Sequence, residues 1–175
     1  MVYLKIVVIL LVFMFTGCTT VKLSKLETVS KVDIERFMGK WFVIGLIPTF
    51  IEKNAVNGIE HYELKDNNKI AITYTFNQHS ADGKLKTMKP KGRVYDLDTY
   101  AEWRVRFFHL FTSPYLIIDL DDDYTYTVIG VPNRKYVWIM SRDYVFDDNL
   151  YNKILDTLAE RGYDISKIKK MSQEW

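Results

Sequence analysis

The chain has 175 residues, with 24 Lys and Arg against 22 Asp and Glu and a single cysteine. A net charge of +2 argues against nucleic acid as a partner and offers no polybasic patch for anionic lipid, and one cysteine excludes an intramolecular disulfide. An aromatic share of 15%, with 12 Tyr and 10 Phe, favours β-structure around an aromatic-lined interior.

Lys5 precedes an apolar run from Ile6 to Phe15 that ends in Thr16-Gly17-Cys18. The run is shorter than the roughly 20 residues of a bilayer span, and small residues stand just before Cys18, so residues 1–17 read as a secretory signal peptide. Phe15-Thr16-Gly17-Cys18 resembles the lipobox of bacterial lipoproteins, although Phe15 stands where Leu is more usual. The resemblance implies cleavage before Cys18, a diacylglycerol on its sulfur and acylation of the new amine. The alternative is an ordinary signal followed by an incidental cysteine. Without residues 1–17 the chain keeps 158 residues and a charge of +1, the size of one domain. Residues 18–31 are polar and rich in Ser, Thr and Lys and read as a lipidated tether, and residues 32–175 read as the folded domain.

From Gly39 onward, period-two segments alternate with turn signals. Ile70, Ile72, Tyr74 and Phe76 share one face of a strand, and Trp103, Val105 and Phe107 stand opposite Glu102, Arg104 and Arg106 on another. Asp66-Asn67-Asn68, Ala81-Asp82-Gly83, Asp121-Asp122-Asp123 and Pro132-Asn133-Arg134 mark turns. The pattern predicts eight strands, at approximately 40–46, 57–65, 69–78, 86–97, 102–109, 115–121, 124–131 and 136–142. The period then changes. Leu150, Ile154, Leu155 and Leu158 form a helical stripe, with Asp147 or Asp148 as its start and Gly162 as its end, and Tyr163 to Lys169 is expected to add a short final strand. Periodicity alone leaves a sandwich and a closed barrel equally open.

Three segments bear on that choice. A short helical turn over Asp33–Met38 leads into Gly39-Lys40-Trp41-Phe42; Leu120–Gly130 carries an acidic turn between the sixth and seventh strands; and Tyr136–Arg142 ends the eighth strand on an arginine. In this order and at this spacing they resemble the three conserved motifs of lipocalins, most closely the bacterial, apolipoprotein D-like branch of that family. The likeness covers about Asp33 to Lys169. It implies an all-β fold: an eight-stranded antiparallel up-and-down barrel, with one C-terminal α-helix packed outside. It also implies that Arg142 packs across Trp41, beside Gly39, to close the barrel floor.

With that floor shut, a ligand enters at the other end, past Ile47–Val56, whose apolar residues suit either a lid or rim packing. The alternating faces nominate Tyr74, Phe76, Trp103, Val105, Phe107, Trp138 and Met140 as the lining of an apolar cavity with few charges. Tyr126 is expected to turn its hydroxyl inward to a head group, while Arg104 and Arg106 point to solvent. His61, His79 and His109 are scattered without zinc-ligand spacing, and Asp119–Asp123 lacks the glycine and spacing of a calcium loop, so neither metal nor cofactor is expected.

The resemblance implies a carrier of fatty acids or lysophospholipids, and Thr19 in place of Asp after Cys18 resembles lipoproteins of the outer membrane. Two other readings stand beside it: a lipocalin-fold enzyme acting on a lipophilic substrate, and a structural envelope lipoprotein with a filled barrel. Catalysis would need a reactive cysteine, a buried acid pair or a cofactor motif facing the cavity, and the sequence displays none, so no enzyme is expected. A homodimer is left open.

Overall fold

The computed structural model describes residues 23–107 and 111–175; the leader, Cys18 and His109 lie outside the described residues. Ten strands make one antiparallel sheet: β1 (Gly39–Leu46), β2 (Ala55–Lys65), β3 (Lys69–Gln78), β4 (Leu85–Met88), β5 (Lys91–Val94), β6 (Glu102–Phe107), β7 (Phe111–Leu120), β8 (Tyr126–Gly130), β9 (Val137–Ser141) and β10 (Lys169–Lys170). Pairing of β1 with β9, from Phe42 opposite Ser141 to Leu46 opposite Trp138, closes the sheet into an eight-stranded barrel. Closure satisfies the backbone groups that open edges would leave bare.

The fourth strand expected over 86–97 is broken. β4 pairs with the upper part of β3 and β5 with its lower part, and Lys89-Pro90 stands between them. Proline has no N–H to give to the ladder, so pairing lapses there. The final strand is likewise shorter than expected: a single 3-10 turn at Ile165–Lys167 comes first, and only Lys169 and Lys170 pair, with the end of β1.

Two apolar layers follow from the alternation of side chains. One fills the barrel, from Phe37, Trp41, Tyr62 and Trp103 at the bottom to Ile72, Tyr74 and Trp138 higher up. The other lies outside, where α2 (Asp148–Glu160) lays Tyr151, Ile154 and Leu158 on Phe42, Ile44, Val137 and Ile139. Asp147 caps this helix by accepting from the Leu150 N–H at 2.8 Å. The helix covers β9 from outside, so all five residues of that strand are buried. At Gly45, where β1 carries a bulge, a Cβ would stand 2.6 Å from the Tyr151 hydroxyl, so glycine admits the helix there.

Part of the segment read as tether lies on the barrel. Leu26 is buried against Gly130, Val29 N–H bonds the Ile117 carbonyl and Val32 N–H bonds the Thr99 carbonyl. Leu23 sits against Gly162, next to Arg161, whose carbonyl accepts from Arg134 in the β8–β9 loop. The C-terminus is strapped across β1 and β2: Gln173 donates to the Val43 carbonyl, Asn57 and Glu174 bond reciprocally, and Trp175 packs edge-on to Phe42. No helix among the described residues is long and apolar enough to cross a membrane.

Candidate functional site

One end of the barrel is sealed. The short helix α1 (Ile34–Phe37), capped by Asp33, drops Phe37 into the interior beneath Trp41, whose indole N–H bonds the Phe37 carbonyl at 2.9 Å. Arg142 lies 3.7 Å over the Trp41 ring and donates to the carbonyls of Lys40, Arg36 and Phe37 at 2.8, 2.7 and 3.2 Å. One guanidinium thus joins the end of β9 to the start of β1 and to α1. Burial lowers its pKa to about 10, which leaves it fully charged at neutral pH. Gly39 takes φ +95° beside it, and a Cβ there would come within 3.4 Å of an Arg142 nitrogen.

The opposite end holds a chamber of about 370 Å³. Its walls come from β3, β6, β7 and β9, and residues 49–52 of the β1–β2 loop cover it. Phe50 of that loop is 87% exposed and Phe111 at the rim is 71% exposed, so the mouth is ringed by uncovered apolar surface. A groove of about 430 Å³ runs past Ile44, Tyr144 and Gln173, but on the outside of the barrel, where it encloses nothing.

The chamber is not simply apolar. Glu52, only 6% exposed, comes in from the loop and accepts three hydrogen bonds: from the Trp138 indole at 2.9 Å, the Thr49 backbone N–H at 3.0 Å and the Thr49 hydroxyl at 2.6 Å. Glu60, 7% exposed, comes in from β2, accepting from the Tyr62 hydroxyl and, at 3.4 Å, from the Tyr115 hydroxyl. Burial and the neighbouring charge of Glu52 push the Glu60 carboxyl up to about 8 against the pull of Tyr115, so near neutrality it is mostly protonated. Above them Tyr74 is 5% exposed, and its hydroxyl lies close to Glu52 but outside hydrogen-bonding geometry. It is the one buried side-chain polar atom without a partner among the described residues. Burial, with the charges of Glu52 and Glu60, holds the Tyr74 phenol well above its ordinary value.

Of the residues nominated from the sequence, Tyr74, Val105, Phe107 and Trp138 reach the chamber wall. Phe76, Trp103 and Met140 do not. Phe76 packs on Tyr74 at 5.2 Å between ring centres, Trp103 belongs to the floor layer, stacked 5.4 Å from Tyr115, and the Met140 sulfur sits 3.9 Å from the Tyr62 hydroxyl. All three lie inside the barrel in the filled part of its core.

Tyr126 is on the wrong face for the role expected of it. Ile129 and Val131 point inward, so period two turns Tyr126 and Val128 outward, and Tyr126 packs edge-on to Phe146 at 6.3 Å. Arg104 lies on the outer face, paired with Glu102 and 3.8 Å over the Tyr95 ring. His61 is exposed beside Glu63, and His79 lies near Asn54. No cluster of three or more His, Cys, Asp or Glu that could hold a metal occurs among the described residues.

Glu52, Glu60 and Tyr115 are the residues that sequence reasoning missed, and the buried acid pair it found no sign of is present. Thr49-x-x-Glu52 has the spacing of a capping box, with the carboxylate returned to the Thr49 N–H, and that spacing was a usable signal for Glu52. Glu60 shares a face with Tyr62, two residues along the same strand.

Residues 32–173 match the family model described as a lipocalin-like domain. Temperature-induced lipocalin-1 of Arabidopsis thaliana is 31% identical over 161 residues, which cover 86% of this chain and 84% of that protein. The outer membrane lipoprotein Blc of Vibrio cholerae is 23% identical over 172 residues, 97% of this chain and 98% of its own. Among solved structures, lobster apocrustacyanin A1 aligns with a TM-score of 0.65 at 17% identity, over 82% of this chain and 81% of its own. With its closed barrel, its Trp41–Arg142 floor and this match over most of its length, the chain belongs to the lipocalin family.

Proposed function

We propose that this protein is a carrier that binds, stores or transports single-chain lipids, fatty acids or lysophospholipids, in the cell envelope, attached to the outer membrane through a lipidated Cys18. Lipocalins generally bind and transport hydrophobic ligands. The observation that carries the reading is the sealed floor beneath a chamber of about 370 Å³ with a mouth of exposed aromatic rings. Such a volume takes one small amphiphile, and each buried methylene contributes about 0.8 kcal/mol. The envelope location draws support from the leader ending at Cys18 and from the relatives named outer membrane lipoprotein.

The test uses the full chain carrying Cys18→Ser, so that no anchor of its own enters the chamber. Organic extraction followed by mass spectrometry should recover a single-chain lipid, and a fluorescent fatty acid should bind and be displaced by lysophospholipid. Absence of both results overturns the carrier reading. Chemical conversion of the extracted species during incubation replaces it with a lipocalin-fold enzyme, a reading that the buried Glu52 and Glu60 keep alive. With native Cys18 the protein should sediment with outer membranes, and Cys18→Ser should release it.

A further inference from the structure

The ionisable side chains that line the chamber among the described residues are carboxyls and phenols. Glu52 and Glu60 reach it from two different elements, and no Lys, Arg or His lines it among the described residues. A carboxylate or phosphate driven into this space would meet acids with no counter-cation, at a depth where water does not screen them. Acceptors are plentiful instead. Beside the two carboxyls, the Tyr74 hydroxyl is buried, faces the chamber and has no partner. A buried polar group without a partner is unfavourable, so this one is poised to be satisfied by a ligand. Behind it the rings of Tyr115 and Trp138 stack at 6.4 Å with 24° between planes, and both line the chamber. Aromatic faces attract cations, most strongly where water is excluded.

We propose that the inner end of the chamber is a site for a primary ammonium group carried on a single alkyl chain, held by Glu60, Glu52 and Tyr74 against the Tyr115 and Trp138 rings, and that a free carboxylate head is turned away from it. An ammonium has three donors and no acceptor, the complement of what these side chains present. The proposal rests on the carrier reading and narrows it: a head-first ligand is a single-chain amphiphilic amine, not a fatty-acid anion.

A proton accompanies binding. Among the described residues, the titratable groups facing Glu60 are Glu52, the hydroxyls of Tyr62 and Tyr115, and Tyr74, none of them cationic. An alkylammonium keeps its charge up to about pH 10, like lysine, so seating it beside Glu60 expels the carboxyl proton. Affinity for the amine should therefore rise with pH through about 8.

Three probes of equal chain length separate the cases: dodecylamine, sodium dodecanoate and 1-dodecanol, each displacing an uncharged fluorescent reporter from the full chain carrying Cys18→Ser. We expect dodecylamine to bind at least tenfold more tightly than dodecanoate at pH 8, and its affinity to rise about thirtyfold from pH 6.5 to pH 9, with dodecanol unaffected by pH. Glu60→Gln should flatten that rise and weaken the amine about fivefold or more, while dodecanol binding shows that the variant is folded. Dodecanoate binding as tightly as dodecylamine, or a wild-type amine affinity that ignores pH, overturns the head-group site while dodecanol binding leaves the carrier standing. Displacement by none of the three overturns both.

Discussion

At the scale of single residues, Arg142 seals the barrel floor by tying the end of β9 to β1 and α1 at one point. Arg142→Ala should lower stability by about 1–3 kcal/mol, through the lost stacking and three bereft carbonyls. Trp41→Ala should cost about 3–5 kcal/mol, as expected for a large buried ring. Thermal melts of both variants check this, and an unchanged midpoint in both would remove Arg142 and Trp41 from the floor. These two residues are legible in the sequence because Gly39-Lys40-Trp41 and a strand-ending Arg142 resemble the first and third lipocalin motifs, and that resemblance implies their pairing at the floor. Glu52 and Glu60 are not, since carboxylates in a loop and on an alternating strand read as solvated until the barrel is folded around them. Tyr126 shows the limit from the other side. Period two places a residue on one of two faces, and a choice that is out by one is wrong for the whole strand.

At the scale of elements, legibility follows the strength of the local period. β3 alternates cleanly and is found at the bounds expected of it, Lys69–Gln78. β9 is buried on both faces under α2 and shows no alternation, although its limits are clear from the flanking turn and Arg142. The split into β4 and β5 was foreshadowed by Pro90, a residue that does not belong inside a paired strand. The helix is announced by its stripe and by Asp147, and the cap predicts a measurable effect. Asp147→Ala should reduce stability by about 1 kcal/mol, a fall of roughly 2–4 °C in melting temperature, and Asp147→Asn should restore most of it. Equal melting temperatures for wild type and Asp147→Ala would show that the packing of α2 on β9 and β1 holds the first turn without the cap.

At the scale of the whole molecule, Glu60 gives the fold a pH dependence of its own. Its carboxyl rises from 4.5 to about 8 on folding, so between those values the folded chain keeps a proton that the unfolded chain has lost. The stability this provides is complete below about pH 4.5 and disappears as the pH climbs through 8. Ligand-free protein should therefore melt higher at pH 5.5 than at pH 8.5, by several degrees, and Glu60→Gln should flatten the difference. A wild-type profile that rises with pH instead would place the Glu60 proton elsewhere.

The barrel also holds its N-terminal strip in an orientation that matters for where a ligand comes from. Leu23 leaves the surface beside Gly162, on the same side as the β8–β9 loop and the chamber mouth. Four residues then separate Leu23 from Cys18, five backbone steps that span about 18 Å at full stretch. If Cys18 is the point of attachment, the protein is moored on a short leash with its opening kept near the bilayer surface. Loading then becomes a handover across an interface, and its rate should follow how often the mouth touches the lipid more than how far the cargo diffuses through water.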